Sequence, residues 1–191
     1  ADSGRTFQHY TAFSSGLPSN WIVGLYKSSD GSYWVGTRQG LAQGARTQFD
    51  SFNTTNARLS HNHINAIHQD QAGNLWVGTQ DGLNRLAPGA TQFDWFNTVN
   101  TPNLGSDQVM SLTSQNDLLW VGTFDEGLYR MDTSSGEMLQ VALDPDNPFA
   151  LQAPGVTSLL THSSWQSVAT TYGGGAALGA SSGCVARVIR C

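Results

Sequence analysis

The sequence predicts an all-β chain assembled from repeated sheets of four antiparallel strands. Three observations carry that expectation. Trp-Val-Gly-Thr occurs at Trp34–Thr37, Trp76–Thr79 and Trp120–Thr123, 42 and then 44 residues apart. A Gly-Leu pair follows each copy, at Gly40-Leu41, Gly82-Leu83 and Gly127-Leu128. The 191 residues include 21 glycines and 6 tryptophans but only 12% charged residues. That balance suits short strands and tight turns and is poor in good helix formers.

A period of about 40–45 residues holding four short strands is that of a β-propeller blade. Helical repeats of similar length need long stretches of 3.6-residue periodicity, and none is present. The expected units cover about 7–48, 49–92, 93–137 and 138–175, roughly four repeats and so a partial propeller. The propeller region spans 1–160, and 176–191 reads as a diverged or irregular tail.

Each unit opens on an apolar strand: Ile22–Tyr26, Ile64–Ile67 and Val109–Leu112. A polar turn follows, at Ser29–Ser32, Asp70–Asn74 and Gln115–Asp117. The Trp-Val-Gly-Thr strand comes next, then the Gly-Leu hairpin. An aromatic stretch closes the unit, Phe49–Asn53 in the first and Phe93–Asn97 in the second, and Phe7–Tyr10 has the same flavour. The second unit reads most plainly, with strands expected at 63–69, 75–79, 84–86 and 91–97.

The repeated residues have physical jobs. Asp70 and Gly73 make the first turn, one bonding nearby backbone and the other supplying positive φ. Trp34, Trp76 and Trp120 fill the space between sheets while their N–H groups seek acceptors. Gly36, Gly78 and Gly122 allow close backbone approach. Thr37, Thr79 and Thr123 are expected to bond a neighbouring blade. Gly82 and Gly127 permit the hairpin.

The fourth unit decays. Val156–Leu160 matches the apolar strand and Trp165 falls 45 residues after Trp120, but no Val-Gly-Thr follows. A diverged cap, a truncated unit and an altered reading frame are three readings of this end. The two cysteines, Cys184 and Cys191, fall here and leave a local bridge open.

These units resemble the two-component regulator propeller repeat, whose pattern is Asp-x-x-Gly-Asn-Leu-Trp-Val-Gly-Thr followed by x-x-Gly-Leu-x-Arg. Asp70, Gly73 to Thr79, Gly82, Leu83 and Arg85 match it. The first unit departs at Gln43-Gly44 and the third lacks the Asp-x-x-Gly turn. The opening Phe7–Asn20, with Gly16–Asn20 in it, looks like the first repeat of such proteins, and Asp144–Pro148 resembles an inter-blade loop of members that precede diguanylate cyclase or histidine kinase modules. The resemblance implies a non-catalytic, ligand-sensing input domain of a bacterial two-component-type receptor. That domain would be periplasmic or otherwise extracytoplasmic and joined to the membrane only through a further C-terminal segment. It implies no cofactor. An unknown small ligand or protein is the expected partner, and self-association is one way to close an open stack of blades.

A formal charge of −5 and the lack of a basic stripe argue against nucleic acid. No apolar run approaches the roughly 20 residues of a membrane span. Ala1-Asp2-Ser3 reads as a mature terminus left by cleavage or as an arbitrary boundary.

Candidate sites are sparse. Trp21 and Trp95 break the repeat, standing where His63 and Ser51 stand in other units, and are candidates for ligand contact. His61 and His63 fall two apart, a spacing that puts both imidazoles on one strand face as a conceivable metal pair. The bland reading, polar residues at a blade end, is favoured, and no metal site is assigned. His68 falls on the opposite strand face. Asp125-Glu126 is an adjacent acidic pair, read as a solvated turn and not as a catalytic pair. Ser29–Trp34 resembles the Asp-box turn of glycoside-hydrolysing propellers, a structural turn, so a glycoside hydrolase or lyase remains the alternative function. A purely structural interaction scaffold is a third.

Overall fold

The computed structural model describes residues 7–45, 48–143, 146, 151, 153–162, 166–171, 175–180 and 186–189. One helical turn, α1 (Ala12–Ser15), precedes four sheets of four strands each. The first holds β1 (Ile22–Lys27), β2 (Tyr33–Thr37), β3 (Gly40–Ala45) and β4 (Gln48–Phe52). The second holds β5 (Ile64–Gln69), β6 (Leu75–Thr79), β7 (Gly82–Leu86) and β8 (Asp94–Phe96). The third holds β9 (Val109–Gln115), β10 (Leu118–Thr123), β11 (Leu128–Asp132) and β12 (Met138–Gln140). The fourth holds β13 (Val156–His162), β14 (Gln166–Thr171), β15 (Gly175–Ala180) and β16 (Ala186–Ile189). All pairs are antiparallel and follow chain order, so each sheet is an up-and-down blade.

The aromatic stretches close the first two blades as fourth strands, as read for 91–97, so the blades end near 52, 96 and 140 rather than at the expected bounds of 48, 92 and 137. The stretch 176–191, expected to be irregular, carries β15 and β16. Strand pairing needs only backbone donors and acceptors, which small residues supply without an alternating pattern.

Turn chemistry follows the sequence where the motif is intact. Gly73 (φ 86°) and Gly31 (φ 85°) take the left-handed conformation in the first two blades. The third blade makes a tighter turn, with Asn116 at φ 54°. Asp70 Oδ2 accepts the Trp76 indole N–H at 2.7 Å, and Asp70 Oδ1 accepts the Asn74 N–H at 2.8 Å. In the third blade Gln115 stands where that aspartate would. There the buried Trp120 indole nitrogen has no hydrogen-bond partner among the described residues.

Blades join through one repeated contact. The first residue of each inner strand sits over the glycine of the preceding blade's second strand. A Cβ on Gly36 would meet Ile64 Cγ2 at 2.9 Å, one on Gly78 would meet Val109 Cγ1 at 2.6 Å, and one on Gly122 would meet Val156 Cγ1 at 2.7 Å. Carbonyls crowd the same places: Val109 O is 3.0 Å from the Gly78 position and Val156 O is 2.9 Å from that of Gly122. At Gly36 a Cβ would displace the Ile64 and Ile67 side chains, and at Gly78 and Gly122 it would also press on backbone. Ile64, Val109 and Val156 are fully buried as a result. Trp34 packs on Phe52 (5.4 Å between ring centroids) and Trp76 on Phe96 (6.0 Å), each within its own blade.

A polar contact repeats beside it. The Tyr26 hydroxyl reaches Gln69 O, His68 Nε2 shares a 2.7 Å bond with Ser114 Oγ, and Thr113 Oγ1 shares a 3.0 Å bond with Thr161 Oγ1. The motif threonines act differently from expectation. Thr37, Thr79 and Thr123 donate to the carbonyls of Gly40, Gly82 and Gly127 at 2.8–2.9 Å, so they seal their own hairpins rather than reach the next blade.

In the fourth blade the register survives and the motif does not. Ser158 pairs with Thr170 as Ser111 pairs with Gly122, and Leu160 pairs with Val168 where Trp120 would stand. Val168–Thr171 therefore occupies the Trp-Val-Gly-Thr slot. Trp165, expected there from its spacing, lies outside the described residues, as do Cys184 and Cys191.

Gly78→Ala is expected to lower the unfolding free energy by about 1–3 kcal/mol, the usual cost of overpacking. Gly24→Ala, with nothing within 4 Å of the added Cβ, should change it by less than about 0.5 kcal/mol. Urea unfolding of both variants checks the pair.

Candidate functional site

The loops that lead into the inner strands lie at the same end of the blades as the β2–β3 and β6–β7 turns. A common scaffold builds them. Asn20, Asn62 and Asp107 Oδ1 accept from the backbone N–H groups of Ala12, Thr54 and Thr98 at 2.7–2.9 Å. Ser19 Oγ, His61 Nδ1 and Ser106 Oγ accept from the N–H two residues on, in Trp21, His63 and Gln108. His61 thus does the work that serine does in the other two loops. Its ring belongs to a turn rather than to a strand, because β5 begins only at Ile64. The expectation that His61 and His63 share a strand face is corrected accordingly. Asn53 and Asn97 cap the following turns, accepting from Thr55 and Asn56 and from Val99 and Asn100.

Four residues singled out in the sequence come to this end in two groups. Trp21 is 60% exposed, and the Arg38 guanidinium from the β2–β3 turn lies 3.8 Å above its ring. The Arg38 N–H also donates to Trp21 O. His63 stands beside this pair. Partial burial holds its pKa below the ordinary imidazole value, and the charges of Arg38 and His61 push the same way. Trp95 belongs to a second group. It lines a cleft of about 260 Å³ with Thr54, Arg58, Leu59, Ser60 and Asp81. Arg58 adopts φ 58° where the first blade has Gly16 at 81°. An arginine in that conformation is uncommon.

The sequence reading missed Arg38, Arg58 and Asp81. Their signal was the one used for the tryptophans, a break in the repeat: Gln80 stands opposite Arg38, and Gly16 opposite Arg58. Two acids at this end, Asp107 and Asp125, support loops. Asp107 holds the Thr98 N–H and hydroxyl, and Asp125 Oδ1 takes the Ser106 hydroxyl. Among the described residues no three His, Cys, Asp or Glu side chains are placed to hold a metal ion. The arrangement offers an exposed cation-on-indole platform and a shallow mixed cleft, both suited to contacting a ligand.

Residues 16–39 and 58–81 match the family model described as two component regulator propeller. The chain carries two-component regulator propeller repeats. No curated protein matches the chain. Solved structures share the fold of these regulator propeller repeats. The extracellular domain described for the hybrid two component system BT3049 of B. thetaiotaomicron superposes with a TM-score of 0.78 at 18% identity, over 96% of this chain and 26% of that one. The extracellular domain described for the one component system BT4673 of the same organism gives 0.77 at 19%, over 96% and 27%. A catalytically inactive virginiamycin B lyase of Staphylococcus aureus, solved with quinupristin, gives 0.66 at 14%, over 90% and 56%. The chain thus spans about a quarter of the length of the two extracellular domains.

His68, away from the loops, is the most enclosed imidazole among the described residues whose pKa shifts. Burial holds its pKa below the ordinary value, and Asp70 opposes this weakly. The unfolded chain therefore binds a proton that the folded chain resists. Stability is full above the unfolded value of about 6.5 and is lost as pH falls through it. Urea unfolding at pH 7 and pH 5 should show a smaller acid loss in His68→Gln than in the parent, with the remainder owed to His63.

Proposed function

We propose that the chain is a non-catalytic, ligand-sensing input domain of a bacterial two-component-type receptor. It works outside the cytoplasmic membrane and meets a small ligand or a partner protein at the loop end of its first two blades. The observation that carries this reading is the match of two successive blades to the regulator propeller family. Likeness in fold to domains described as extracellular parts of one- and two-component systems supports the same placement. In this reading a kinase or diguanylate cyclase output belongs to another part of a longer receptor.

The residues at the loop end support binding over chemistry. Asp107, Asp125 and His61 are engaged in holding loops. The residues that depart from the repeat are instead the exposed Trp21 with its Arg38, and Trp95 with Arg58 and Asp81. Aromatic faces and guanidinium groups give contact area and orientation without acid–base work. The lyase likeness extends to the blades and carries no catalytic residue across.

Calorimetric titration with a panel of monosaccharides, oligosaccharides, amino acids and short peptides tests the proposal. At least one compound should bind and be recovered unchanged by chromatography. Trp21→Ala or Trp95→Ala should weaken that binding about tenfold, the scale of one lost stacking contact. Conversion of a panel compound into product would overturn the reading.

A further inference from the structure

In the first and third blades the residue ahead of the inner strand lies against the hairpin of its own blade. The Arg38 N–H donates to Trp21 O at 3.3 Å, and the Phe124 N–H donates to Gln108 O at 3.0 Å. Trp21, His63 and Gln108 precede Ile22, Ile64 and Val109, and Arg38, Gln80 and Phe124 follow the motif threonines. Of these three pairs, the first alone sets a guanidinium beside an indole.

The first blade junction adds a further group. Gly36 seats Ile64, so Arg38, two residues beyond that glycine, comes beside His63, one residue ahead of that isoleucine. His61 Nδ1 accepts the His63 N–H at 2.9 Å and belongs to the same turn. Arg38 and His61 both oppose protonation of His63, and among the described residues no carboxylate offsets them.

The Arg38 guanidinium also lacks an acidic partner. Among the described residues the one ion pair is Arg85 with Asp94. Arg38 is exposed, and its described side-chain contact is the Trp21 ring at 3.8 Å. A guanidinium rested on an indole keeps its planar fork for a ligand, and that fork matches the two oxygens of a carboxylate. The permanent charge of the corner is this single guanidinium, which suits a monoanion.

We propose that the corner formed by Trp21, Arg38 and His63 binds the carboxylate of a small ligand. Arg38 donates to both oxygens, Trp21 holds the guanidinium in place, and His63 adds a donor from the next blade. The Trp95 cleft differs, because Asp81 lines it together with Arg58. The inference rests on the sensor reading and names the ligand chemistry of one of its two surfaces.

An NMR titration of the full chain at low salt tests it, with acetate and benzoate against acetamide and benzamide. Both carboxylates should shift the Trp21 indole N–H and the Arg38 Nε–H signals to saturation, and the amides should not. Arg38→Gln installs the residue that the second blade carries as Gln80. It should weaken benzoate about tenfold or more, the scale of a lost charge-assisted pair. Benzoate should also bind more tightly at pH 5.5 than at pH 7.5, because an imidazolium attracts it. That gain should shrink in His63→Gln, which copies Gln108 of the third blade and leaves Arg38 and His61 in place. Equal shifts from acid and amide, or benzoate binding indifferent to Arg38→Gln, overturns the proposal. If other compounds of the ligand panel still bind, this inference alone falls. If nothing binds, the sensor reading falls with it.

Discussion

The structure depends on one steric constraint, the seating of a β-branched side chain on a glycine of the preceding sheet. Sheets twist and splay, and four-stranded blades stack closely only where one of them gives up a side chain. Gly36, Gly78 and Gly122 give it up, and Ile64, Val109 and Val156 take the space. The large neighbours follow from that closeness. Trp34 and Trp76 fill the wider part of each junction against Phe52 and Phe96, and the Tyr26, His68 and Thr113 contacts fix the polar margin. Burial is divided among the junctions, with Ile64 and Trp34 in one apolar cluster, Val109 and Trp76 in a second, and Val156 beside Trp120 in a third.

The proposed binding surface is separated from this constraint in space. The junctions use the middle of the strands, and the loop end carries the variation. There the scaffold of Asn20, Asn62 and Asp107 is the same in three blades, so side chains around it vary without cost to the fold. Trp21 and Arg38, and Trp95 with Arg58, are such variations. A rigid frame bearing variable loops is the usual way in which a repeat fold acquires a binding surface.

The first three blades were legible because their constraint is written in side chains. A glycine that must be glycine, and a tryptophan that must fill a gap, recur at a fixed spacing. The fourth blade was only half legible. Val168–Thr171 pairs in the same register through backbone groups alone, and Trp165, which matches by spacing, is not the residue at that slot. The loop end was legible in its tryptophans and not in its partners. Arg38 meets Trp21 across a hairpin, and Arg58 joins Trp95 from a different loop, relations that spacing along the chain does not encode. His61 misled for a related reason: two apart suggested a strand face, whereas its ring nitrogen substitutes for a serine hydroxyl in a turn.

The most direct measurement is a set of nuclear Overhauser contacts on methyl-labelled protein. The account requires cross-peaks from the Ile64 methyls to the Gly36 Hα protons, from Val109 to Gly78, and from Val156 to Gly122. All three present at short range is the expected result. Absence of these contacts in a folded chain would contradict it, because the blades would then be joined by something other than this seat.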